Sequence, residues 1–187
     1  NMCDDGNTPA FRPHSGRKNQ LAFPGAEKFH APYTDGRTAD GIGHFETEDQ
    51  WLTRLRAGIV VGFFGFNESF EGMQGLPNFR VELTAWVRHT KGQKYDGTAA
   101  PQIALVSPTA YQDLTATMNV PDGRRENGNL AAYTSVMQEV AQAEGVVFVN
   151  AFNASLGWYD QTEAPLTRDG ALLNNAGYDK FSTLLID

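Results

Sequence analysis

One cysteine in 187 residues, Cys3, is too few for an internal disulfide framework or for a site built on several thiolates. Its place near the start leaves a lipid anchor or an intermolecular link open. Long apolar runs are lacking too, since nothing approaches the roughly 18 consecutive apolar residues of a membrane-spanning helix. Positive charge is scarce: 15 Lys+Arg stand against 22 Asp+Glu, a formal net charge of −7, which excludes a basic nucleic-acid footprint and favours a basic protein partner. The chain opens at Asn1 rather than Met and shows no signal-peptide pattern, so it reads as a processed or partial product. Internal repeats and low-complexity tracts are absent as well.

What is present suffices for a core. With 41% hydrophobic and 11% aromatic residues, a chain of this length builds one domain, residues 1–187. Residues 1–18 form an irregular N-terminal segment within it, and residues 30–49 a long loop. The run Ile59-Val60-Val61-Gly62-Phe63-Phe64 has the pattern of a strand buried on both faces. Further strands are expected near 20–23, 102–107 and 146–149. Helices are expected from Pro77 through Val87, from about Asn129 to a Gly145 cap, and from Asn174 to Ile186. Strands alternating with helices predict an α/β fold with a parallel sheet, whose binding crevice lies beyond the carboxyl ends of the strands. That rule selects Pro24-Gly25, Gly65 to Ser69, Ser107-Pro108 and Asn150 onward.

These segments resemble the SGNH or GDSL hydrolases, in a branch common in planctomycete-like bacteria. The resemblance covers residues 19–186. It rests on Asn19 to Glu27, Gly65-Phe66-Asn67-Glu68-Ser69-Phe70, His89 to Tyr95 with Ala100-Pro101 and Ser107-Pro108, and Pro165-Leu166-Thr167 leading to Gly170 and Leu173-Asn174. It implies a three-layer α/β/α sandwich, flavodoxin-like, with a central parallel sheet of about five strands. The first strand-helix unit is shortened, because only 16 residues separate Thr8 from Gly25. In the family a Ser attacks an ester carbonyl, a Gly amide and an Asn side chain stabilise the oxyanion, and a DxxH block supplies the base. Gly25 and Asn67 match the two oxyanion donors. Thr8 is the best match to the nucleophile, inside a degenerate block. Asp169 matches the acid of the last block, but Leu172 stands where the base belongs and cannot accept a proton.

A relocated base is confined to the four histidines. His89 falls in the last turn of a helix, an ordinary place for a cation, while His30 and His44 in the long loop are the candidates. Ser15 and Ser69 are alternative hydroxyls with no base in readable reach. Asn67 either bonds the next loop or lines a retained polar pocket. Asp4-Asp5 reads as a solvated pair near a terminus, and neither the residues nor the resemblance implies a cofactor or a metal. Tyr33, Phe45, Trp158 and Tyr159 are rim aromatics suited to a protein interface or a ligand cleft.

The expectation is an inactive SGNH-like domain, a structural or binding subunit of a larger assembly. The alternatives are an active esterase on an acylated carbohydrate or short acyl ester, and a carbohydrate-binding module without turnover. A periplasmic or extracellular location follows from the resemblance alone.

Overall fold

The computed structural model describes Pro9 and residues 48–186. The strand expected at 20–23, the irregular segment 1–18 apart from Pro9, and the loop as far as Thr47 lie outside the described residues. At its end the loop gives way earlier than expected, because Glu48 and Asp49 already belong to a helix, α1 (Glu48–Arg54).

Three strands follow: β1 (Ile59–Phe63), β2 (Gln102–Val106) and β3 (Val147–Val149). They pair in parallel in the order β1-β2-β3, with Val61 opposite Ala104 and Ala104 opposite Val147. Each is an apolar run bounded by Gly, Pro or a polar residue, and helices make the crossovers from β1 to β2 and from β2 to β3 that parallel neighbours require. Between β1 and β2 run a 3₁₀ segment (Glu68–Gly75) and helix α2 (Leu76–Lys91), with Pro77 in its first turn. Between β2 and β3 lies α3 (Arg124–Glu144), closed by Gly145. It begins five residues before the expected Asn129. After β3 come α4 (Ala151–Asp160), which the periodicity did not announce, and α5 (Asn175–Ile186).

The main core fills the space between the sheet and the α2–α3 pair. Phe79, Leu83, Trp86 and Val87 of α2 and Tyr133, Met137 and Val140 of α3 close over Phe64, Ile103 and Leu105. Strand alternation places those sheet residues with Val60 and Phe148 on one face. The other face carries Ile59, Val61 and Phe63, which are 66%, 43% and 45% exposed, and Val147, which is 61% exposed. Burial of the 59–64 run on both faces is therefore met on one side only. On the second side α5 reaches the carboxyl end of β1, where the Phe181 ring lies 6.2 Å from that of Phe63. Helices thus lie on both faces, and the architecture is the expected α/β one with three strands among the described residues.

Helix α1 is tied to the far end of α2. Asp49 Oδ2 pairs with His89 Nε2 at 2.8 Å, and the Tyr95 hydroxyl donates to Asp49 Oδ1 at 2.7 Å. Beyond a favourable site on the helix dipole, His89 therefore also has a carboxylate partner.

Candidate functional site

The carboxyl ends of β1 and β2 open into a cavity of about 320 Å³. Its first wall is the turn after β1. Gly65 has φ of +99°, and a Cβ there would press on Met137 and on the Pro108 ring, so no other residue suits the position. The turn is locked from inside. Gly65 N–H donates to Glu68 Oε2 at 2.8 Å, and the Ser69 hydroxyl donates to the Phe66 carbonyl at 2.6 Å. Asn67, at the start of the 3₁₀ segment, thereby lines the cavity between Phe66 and Glu68.

The second wall is Ser107-Pro108-Thr109 after β2. The Ser107 hydroxyl accepts the Phe152 N–H at 3.0 Å and donates to the Pro108 carbonyl at 3.2 Å. This anchors the start of α4 to the end of β2. The Asn150 side chain caps the same helix by accepting the Asn153 N–H.

The third wall is Ala171 to Leu173, the end of the segment from Thr167 that resembles the acid–base block. Thr167 and Leu173 bridge antiparallel, and Arg168 N–H donates to the Leu172 carbonyl at 2.7 Å. Asp169 Oδ1 accepts the amides of Ala171 and Leu172 at 3.0 and 2.8 Å. Its carboxylate thus holds the turn in place of orienting an imidazole. Leu172 lies at the cavity mouth and is 59% exposed.

Two residues that sequence reasoning missed fix this wall. The buried Gln112 accepts three donors on Oε1, from Leu166 N–H, Thr167 N–H and the Thr167 hydroxyl, at 2.9 to 3.0 Å. The Tyr111 hydroxyl donates to the Asp169 carbonyl at 2.8 Å while its ring packs on Gly170. Burial, with the charges of Asp169 and Glu126, raises the Tyr111 pKa. Neither residue belongs to a recognisable motif, since each acts across more than 50 positions of sequence.

The structure therefore brings Asn67 and Leu172 into one cavity and puts Asp169 directly behind Leu172. Thr8, Gly25, His30, His44, Tyr33 and Phe45, with Cys3, Asp4, Asp5 and Ser15, lie outside the described residues. His89 is the one described histidine, and it is remote. Helix α2 runs back from the cavity rim, so its last turn lies at the opposite end of the sheet. Trp158 and Tyr159 are half-buried on α4. Tyr159 packs on a small cluster of Ala110, Leu130 and Phe152, and its hydroxyl donates to the Ala110 carbonyl at 3.0 Å. That burial pushes its pKa up to about 12.

A second cavity, of about 440 Å³, is lined by Asp113, Asp122, Asp160 and Glu163. Asp113 and Asp122 already accept donors from their own turns, Thr115 and Arg124. Among the described residues no three His, Cys, Asp or Glu side chains converge as metal ligands, and no helix is long and apolar enough to cross a membrane.

No protein-family model and no curated protein matches the sequence. Solved structures do. A catalytic mutant of an acetylxylan esterase from Geobacillus stearothermophilus is similar over 99% of this chain and 88% of its own, at 14% identity and a TM-score of 0.57. A peptidoglycan O-acetylesterase is 20% identical over 84% of this chain, with a TM-score of 0.53. A lipase/acylhydrolase from Enterococcus faecalis is 21% identical over 69%, with a TM-score of 0.50. The chain spans 44% and 59% of the length of these last two. At such identities the likeness is one of fold, and the fold is that of the SGNH/GDSL hydrolases.

Proposed function

We propose that this SGNH-like domain binds its ligand without turning it over and serves as a binding or structural subunit of a larger assembly outside the cytoplasm. The observation that carries the reading is Leu172. It lines the cavity shared with Asn67, and the sequence resemblance sets the base at its position. An aliphatic side chain leaves any hydroxyl there protonated at neutral pH, and losing the base of a Ser-His-Asp site costs several orders of magnitude in turnover. Asp169 is occupied by two backbone amides, and the described histidine is held by Asp49 at the other end of the sheet. Trp158 and Leu156 on α4, with the exposed apolar residues of β1, offer surface for protein partners.

The test is hydrolysis of 4-nitrophenyl acetate and of acetylated xylo-oligosaccharide by the full chain. The expected rate equals that of buffer, and it stays there in Leu172→His because the nucleophile block is degenerate as well. Turnover that disappears in Asn67→Ala together with Thr8→Ala, His30→Ala or His44→Ala would overturn the reading in favour of an esterase with a relocated base.

A further inference from the structure

The cavity beyond β1 and β2 differs in chemistry from a site that must handle an acid product. Five aromatic residues contribute to its lining, Phe63, Phe64, Phe66, Tyr178 and Phe181, and Leu172 completes the mouth. Two of its polar groups are engaged within the chain: Glu68 Oε2 accepts the Gly65 amide, and the Ser107 hydroxyl accepts the Phe152 amide. Among the described residues no Lys, Arg or His lines it, and the carboxyl group in its wall is that of Glu68. An anion entering this space would lose hydration and meet the Glu68 carboxyl group, while an uncharged apolar group would gain contact with the aromatic side chains and Leu172.

We propose that the cavity binds the uncharged aryl or alkyl part of a ligand and rejects the corresponding carboxylate. The inference rests on the reading of the domain as one that binds without turnover, and it gives that binding a chemical class. Leu172 has a role of its own in this account. Where a base would place a polar nitrogen at the mouth, the leucine extends the apolar wall formed by Tyr178 and Phe181.

Titration of the full chain at pH 7 with 4-tert-butylbenzamide and with 4-tert-butylbenzoate, followed by calorimetry and by amide chemical shifts, tests it. The amide should bind saturably, about tenfold or more tighter than the carboxylate. Leu172→Asp should weaken the amide about tenfold. As Leu172 is largely exposed, the variant keeps the fold, and Tyr178→Ser provides a second variant with the same expectation. Ile59→Asp, on the open sheet face away from the cavity, should change nothing. Absence of saturable amide binding overturns the proposal, as does equal binding of amide and carboxylate. Loss of binding in Ile59→Asp but not in Leu172→Asp also overturns it, because the probe would then sit on the sheet face. None of these readouts depends on hydrolysis, so ester turnover would sink the inactive reading while leaving the cavity's preference for an uncharged group to be judged by the amide.

Discussion

The two faces of the sheet are made from the same strands and end in different states. Phe64, just after β1, with Ile103 and Leu105 of β2, is sealed under α2 and α3, and the partly buried Val60 packs against the same core. Residues 59, 61 and 63, one pleat away, remain 43–66% exposed. Composition does not explain the difference, because Ile, Val and Phe stand on both sides. What differs is the layer above. On the closed face two helices of 16 and 21 residues run the length of the strands, whereas on the open face α5 reaches the carboxyl end. The cavity lies where that end is covered, and Phe63 belongs both to the open face and to the cavity wall.

The sharpest way to break the comparison is to truncate one residue on each face. Leu83 is fully buried, and Leu83→Ala should cost about 2–5 kcal/mol through lost transfer energy and an unfilled cavity. Val61→Ala should cost less than about 1 kcal/mol, since much of that side chain already meets water. Urea denaturation of the full chain measures both. A Val61→Ala cost equal to that of Leu83→Ala would mean that the second face is covered in solution, and the contrast between the faces would disappear.

The second prediction concerns how α5 docks. A Cβ on Gly177 would run into the Leu166 carbonyl oxygen, a backbone atom of the segment that leads into the third wall of the cavity. Gly177 N–H also donates to Asn174 Oδ1 at 3.0 Å, the cap that starts the helix. Gly177→Ala should therefore displace α5 from Leu166 and cost about 1–3 kcal/mol, although alanine is the better helix former. Unchanged or raised stability by thermal denaturation would show that α5 is not packed this closely.

The closed face was legible in the sequence, and the site only partly. Three strands announced themselves because each is a short apolar run between breakers, and α2 and α5 because their apolar stripes repeat at helical spacing. Helix α3 begins five residues before the expected start, since Arg124 to Gly128 offers no apolar residue to set a phase. Helix α4 went unread for a similar reason. Its ten residues hold Gly157 and too few turns for a stripe, and the one usable signal was the Asn150 cap. In the site, Asn67, Asp169 and Leu172 were found by block order. The cavity's aromatic wall was not, because Phe63 and Phe181 are brought together only when α5 folds back across β1. Gln112 and Tyr111 escaped for the same reason. Their work is hydrogen bonding to a segment that the sequence places more than 50 residues away.

The last prediction has no effect at neutral pH and develops only in alkali. Tyr133 and Tyr159 both have pKa values pushed up to about 12 from 10.0, chiefly by burial; at Tyr133 the nearby carboxylates of Glu71 and Glu68 add to it. The two hydroxyls hold different ground: Tyr133 donates to the Gly72 carbonyl under the closed face, and Tyr159 donates to Ala110 beside the cavity. A raised pKa means that the folded chain retains a proton which the unfolded chain gives up at lower pH. The stabilisation from each group is therefore complete below pH 10 and is lost as pH rises toward 12, where the phenolate must form in a site that disfavours it. Spectrophotometric titration at 295 nm should show these two ionising only as the fold yields. In Tyr159→Phe the cavity side loses its alkaline sensitivity while Tyr133 keeps that of the closed face, so the alkaline fall in stability should shrink without vanishing. A titration curve in which Tyr133 and Tyr159 ionise near pH 10, the chain still folded, would contradict the burial assigned to both sides.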